Sequence, residues 1–134
     1  MPRRRLITQG ILLASATIIL AACGGSSTSP TPTTTPSPSS TTATITIANN
    51  AVSPQSVTIT RGGRVTFVNN DSREHDIESD PHPVHTDCPE INQVDTLVAG
   101  QSRQTGAFNT ARTCGFHDHQ QAAVSSMFGT ITIQ

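Results

Sequence analysis

The sequence has no lysine, no tryptophan and no tyrosine, and four phenylalanines are its whole aromatic complement. Eight arginines face nine acids, for a formal charge of −1 with the histidines neutral. That balance leaves no basic footprint for nucleic acid. No stretch long enough for a helix carries a helical apolar period, and no glycine-rich nucleotide loop or HExxH pair is present. Hydrolysis would need a positioned nucleophile and base, and Ser125 and Ser126 stand at no recognised spacing from a histidine, so substrate turnover is not the expected activity. With so few aromatics to bury, the core is modest, and a crosslink by metal or disulfide carries more weight than usual.

Long apolar runs are missing too. Pro2-Arg3-Arg4-Arg5 gives a positive start, Ile11 to Leu20 an apolar stretch, and Leu20-Ala21-Ala22 a small-residue approach to cleavage. The stretch is too short for an ordinary spanning helix, which takes about 20 residues. Leu20-Ala21-Ala22-Cys23 resembles the bacterial lipobox. That resemblance implies a lipoprotein signal peptide over residues 1–22, lipid on Cys23, and an exported chain anchored to the cell envelope by its acyl chains. In a two-membrane cell the anchor would sit in the outer membrane or on the periplasmic face. Once the signal is removed, five arginines remain against nine acids, a charge of −4, which favours a positively charged partner if any. From Ser26 to Thr42 the chain is almost entirely Ser, Thr and Pro, so residues 23–42 read as a lipidated, disordered tether.

Residues 43–134 carry the expected fold. Thr44-Ile-Thr-Ile and Ser56-Val-Thr-Ile-Thr alternate polar and apolar, the period of half-buried strands. Arg61-Gly62-Gly63-Arg64 reads as a turn before a third strand at Val65-Thr-Phe-Val. His75 to Glu78, Val94 to Val98, Thr105 to Phe108 and Phe128 to Ile133 complete about seven short strands. Punctuation by Gly, Pro and Asn makes this an all-β, Greek-key β-sandwich.

The chemistry concentrates between Thr113 and Ile133. Cys114, His117, His119 and Met127 are strung ahead of the last strand, and His75 lies at the start of another. A thiolate, two imidazoles and a weak axial thioether are the ligands of a type 1 copper site. On one loop, Cys-x-x-His can bring Cys114 and His117 to one metal, with His75 as the third ligand and Met127 as the axial one. Three pieces of sequence are similar to the cupredoxins, the small blue-copper proteins that include plastocyanin and azurin: Val52 to Asn70, His75 after Asn69-Asn70-Asp71, and Cys114-Gly-Phe-His117 followed by Met127-Phe-Gly129-Thr-Ile. The resemblance implies one copper ion cycling between Cu(I) and Cu(II), electron transport outside the cytoplasm, and an unidentified redox protein or copper-handling protein as partner.

Two departures stand beside it. Nine residues separate His117 from Met127, a longer spacing than such loops usually have, and an insert carrying His82, His85 and Cys88 follows His75. With Cys23 lipidated, two cysteines remain in an oxidising compartment, where even parity favours a Cys88–Cys114 disulfide. Two readings therefore stay open for Cys114, copper ligand or bridge. In the second, His75, His117 and His119, with His82 or His85, would hold copper for storage or delivery. Alternatively His82, His85 and His119, with Asp80, Asp87 or Asp118, could take a second metal ion. A metal-free structural sandwich is the remaining alternative.

Overall fold

The structure is a computed structural model and describes residues 40–134. The expected signal peptide, Cys23 and nearly all of the tether lie outside the described residues. Eight strands form the domain: β1 (Ser40–Ala48), β2 (Ala51–Ser53), β3 (Ser56–Asn69), β4 (His75–Ser79), β5 (Asp95–Leu97), β6 (Ser102–Gln104), β7 (Arg112–Asp118) and β8 (Phe128–Ile133). Short 3-10 turns sit at Ile91–Gln93, His119–Gln121 and Ser125–Met127.

The strand order is β2-β1-β3-β8-β7-β4-β5, with β6 added beside β3. Strand β3 makes this one ladder into two layers. Its first part, Ser56 to Ile59, pairs in parallel with β8; its second part pairs in parallel with β1 from Arg64 onward and antiparallel with β6 at Thr66 to Val68. The Arg61–Arg64 segment is therefore not the expected turn. It is a corner within one long strand, and glycine marks such corners because they bring backbones together. Gly62 has φ +82°, and a Cβ on Gly63 would lie 2.6 Å from the Thr41 carbonyl and 2.8 Å from that of Thr60.

Between the layers lies the core. Ile45, Ile47, Val65 and Phe67 from one side meet Ile77, Cys114, Phe116, Ile131 and Ile133 from the other, all essentially inaccessible to solvent. Phe67 and Phe116 pack edge to face with ring centroids 5.0 Å apart, the arrangement that ring quadrupoles favour. Two further differences from expectation bear on function. Thr105 to Phe108 is not a strand: β6 lies just before it, and Phe108 makes only an isolated bridge to Gly63. The segment from Arg112 to Asp118, expected as a ligand loop, is a regular strand paired on both edges, with β8 and with β4.

Candidate metal centre

Because β7 is extended through Asp118, its side chains alternate between two faces. Cys114, Phe116 and Asp118 point one way, and Gly115 and His117 the other. A three-residue spacing that would converge on a loop diverges on a strand. The expected ligand set of Cys114, His75, His117 and Met127 is accordingly not brought together. Cys114 is bonded to Cys88, with sulfurs 2.01 Å apart. Met127 is packed in the hydrophobic core.

His75 meets a carboxylate where the thiolate was expected. Its Nδ1 lies 2.8 Å from Asp118 Oδ2 and its Nε2 3.2 Å from Asp71 Oδ2, so both ring nitrogens face carboxylates. Gln121 Nε2 donates to Asp118 Oδ2 at 2.9 Å and lies 3.4 Å from His75 Nδ1. Burial works against the Asp118 charge, but bonds from His75, Gln121 and the backbone N–H groups of Asp76 and Gln120 outweigh it and hold the carboxyl below its usual range. Asp71 is also held low, chiefly because the Asn50 N–H donates to it; burial opposes this, and Asn49 and His75 add to the lowering. The turn that delivers His75 is fixed by Asn69, whose side-chain amide donates to the carbonyls of Arg73 at 2.7 Å and Leu97 at 2.9 Å.

On the other face four imidazoles gather. Potential ligand nitrogens of His82, His85, His117 and His119 all lie within 4.8 Å of one another. Ring centroids are 4.8 Å apart for His85 and His119, 4.9 Å for His82 and His119, and 5.2 Å for His85 and His117. Two of the four come from β7 and the residue after it, and two from the insert between Asp80 and Cys88. That insert is closed on itself and on β7. Asp87 N–H donates to the Asp80 carbonyl at 3.0 Å, Asp80 N–H to the Gly115 carbonyl at 3.1 Å, and the disulfide ties its last residue to Cys114. Inside the loop, the Pro81 carbonyl accepts from Val84 and His85, and His85 itself has φ +49°. Asn92 bridges loop and strand, donating to the His85 carbonyl at 2.8 Å and accepting from Ser79 N–H at 2.9 Å. Arg112 holds the far end through the Asp87 carbonyl and the Glu90 carboxylate.

The donor set fits a borderline metal ion such as Cu(II), for which imidazole is a common ligand. His117 is fully buried, its Nδ1 is engaged by Asp80 Oδ1 at 2.7 Å, and its Nε2 is buried with no hydrogen-bond partner. A buried nitrogen without a hydrogen-bond partner, in a group of four imidazoles, suits a metal-ligand position. Four nitrogens about 2.05 Å from one ion would stand about 3.3 Å apart in a tetrahedron, so a modest closure of the exposed rings suffices. His82 and His119 are exposed and His85 half-buried. Burial, followed by the neighbouring imidazoles of His119, His117 and His82, lowers the pKa of His85 and favours its neutral, ligating form. Glu78 lies directly across from His117 on β4, and Asp76 two residues before it on the same face; burial raises the pKa of both carboxyls.

Sequence reasoning placed His82, His85 and His119 near a metal and kept the Cys88–Cys114 bridge as one of two readings of Cys114; it grouped His75 with the metal ligands, whereas the structure sets His75 against Asp71 and Asp118. It missed Gln121 and Asp71 as partners of His75, and Gly115 altogether. One weak signal was available: Cys114 and Phe116 are apolar at a spacing of two, as in a strand.

A two-layer β-domain with histidines on its strands and on one disulfide-closed insert defines a small metalloprotein frame. No family model matches the chain. Plastocyanin from Scenedesmus fuscus is 38% identical over 85 residues, which cover 60% of this chain and 84% of that protein. Auracyanin from Roseiflexus castenholzii superposes with a TM-score of 0.56 at 21% identity, covering 72% of this chain and 99% of that one. Amicyanin from Paracoccus versutus also gives a TM-score of 0.56, at 18% identity, covering 75% of this chain and 94% of that one. The structures share the fold, and the plastocyanin match extends to sequence: the chain belongs to the cupredoxin family.

Proposed function

We propose that this cupredoxin is an exported, envelope-anchored copper protein that holds one copper ion through His82, His85, His117 and His119. The observation that carries the reading is the buried, unpartnered Nε2 of His117 beside three further imidazoles. Its relatives favour copper over other borderline metals, since plastocyanin is matched in sequence and one matched structure is the Cu(I) form of an amicyanin mutant. Bound there, copper would supply one-electron chemistry between Cu(I) and Cu(II).

The chain's own residues divide the remaining work. His117 is the fixed ligand, set in the strand and stacked on Phe128 with centroids 5.6 Å apart. His82 and His85 arrive on a loop that the disulfide and Asn92 hold in place, and His119 closes the set from the first turn after β7. Two of the four rings are open to solvent, an arrangement suited to receiving or passing copper to a copper-handling partner. A fast electron carrier would enclose its metal and use a thiolate, and here the sulfur of Cys114 is committed to Cys88.

The test is copper titration of the full-length protein in detergent. One Cu(II) per chain is expected, with nitrogen hyperfine structure in its electron paramagnetic resonance, weak visible absorption and no free thiols. An intense thiolate-to-copper band together with a free Cys114 would restore the type 1 reading. No bound copper would leave a structural sandwich.

A further inference from the structure

Asp80 was a candidate metal ligand by residue type, but its carboxylate faces the wrong atom for that. Oδ1 lies 2.7 Å from His117 Nδ1 and not against the orphaned Nε2. A carboxylate oxygen accepts, so in this contact His117 donates Nδ1–H. In the neutral ring that leaves the lone pair on Nε2, the buried nitrogen that has no hydrogen-bond partner.

What lets Asp80 reach that position is a missing side chain. Gly115 lies on the same face of β7 as His117, two residues earlier, and its carbonyl anchors the backbone of Asp80 at 3.1 Å. A Cβ on Gly115 would run into Asp80 Oδ2 and stand 2.9 Å from its Cγ. No other group crowds that point, and Gly115 has ordinary strand backbone, so the strand itself would accept alanine. Only the carboxylate would have to leave.

We infer that Asp80 and Gly115 form one positioning device: Gly115 makes room for the Asp80 carboxylate over β7, and the carboxylate fixes the tautomer and orientation of His117 for metal binding. Carboxylate–histidine–metal arrangements of this kind raise ligand basicity and hold the ring against rotation. The inference rests on the copper reading for its purpose, but its structural half, the tautomer, is visible without metal.

The experiment combines two readouts on full-length protein. Long-range nitrogen–proton NMR of the apo protein reports the His117 tautomer, and competition with a chromophoric chelator reports Cu(II) affinity. Wild type should show His117 protonated at Nδ1. Asp80→Leu and Gly115→Ala should both lose that single tautomer and bind Cu(II) about 10- to 100-fold more weakly. Asp80→Asn keeps one acceptor oxygen and should retain most of both properties. Gly115→Ala should lower the unfolding midpoint no further than Asp80→Leu does, which separates a positioning effect from general damage. The inference is overturned if Gly115→Ala retains wild-type tautomer and affinity, or if His117 in the wild type is protonated at Nε2. If wild type binds no Cu(II), the copper reading fails, while the tautomer comparison still decides what Asp80 and Gly115 do.

Discussion

Replacing Cys88 by alanine tests the staple and the facing of β7 together. The bridge closes a loop of 26 residues between two cysteines that are almost wholly buried. Loop-closure entropy for that length is worth about 3.5 kcal/mol at room temperature. Domains of this size are commonly stable by only about 5 to 15 kcal/mol, so the loss should be large in a urea titration. The same substitution frees the end of the insert that carries His82 and His85, so copper affinity should fall with stability. Cys114 becomes a thiol, yet its side chain points to the face of Phe116 and Asp118, away from His117. Cu(II)-loaded Cys88→Ala should therefore still lack an intense thiolate band. Appearance of that band, if it survives His75→Ala, would show that Cys114 and His117 can share one metal, refuting the argument from strand parity. An unchanged urea midpoint would refute the staple.

His75→Ala should separate the two faces in the opposite sense. It strips the buried Asp118 carboxylate of its closest partner, which should cost about 1.5 to 3 kcal/mol of stability, while lowering copper affinity far less than His117→Ala does. Acid should act through the same face. The Asp71 and Asp118 carboxyls sit below their ordinary value of 3.8, so their stabilisation is present above that pH and is lost as pH falls through the lower folded values. The urea midpoint should drop in that acid range, and Asp71→Asn should flatten this part of the profile; an unchanged slope would contradict it. Asp76 and Glu78, raised by burial, work the other way, favouring the folded state while protonated and less as pH rises through their folded values. Finally, Asp118→Cys combined with Gln121→His should gather a thiolate and two imidazoles on the inner face, since Asp118, Gln121 and His75 already lie within 2.8 to 3.4 Å of one another. Cu(II) should then produce an intense thiolate band, and its absence would mean that the inner face cannot close around copper.

Much of the fold could be read from alternation. Ile45, Ile47, Ile59, Val65, Phe67, Ile77, Ile131 and Ile133 sit at inward positions of their strands and are buried as the period of two requires. The corner at Gly62-Gly63 could not be read, because glycine marks a tight turn and a strand bend alike, and only the partners, β8 before it and β1 after it, decide which one forms. Strand β7 was hidden for a different reason. Arg112-Thr-Cys-Gly-Phe-His-Asp is half polar and carries a glycine, so its composition speaks for a loop even though it is paired on both edges. Tertiary pairing overrode local preference there.

That one misreading governs the whole site. The difference between a loop and a strand over seven residues decides whether a cysteine and a histidine three apart meet or part. In the strand, Cys114 is turned toward the core and becomes a staple, and Asp118 occupies the place beside His75. His117, sent to the opposite face, would be a buried imidazole with one idle nitrogen if nothing met it there. The insert after β4 supplies what meets it: Asp80 for one ring nitrogen, and His82 and His85 beside the other. The bridge to Cys88 connects the two faces, since the Cys114 sulfur on the inside anchors the loop that brings His82 and His85 to His117 on the outside. The departures from the family pattern, an insert with two histidines and a second cysteine, are thus one structural change. Cys88 lets the insert stay, and the insert gives His117 its company.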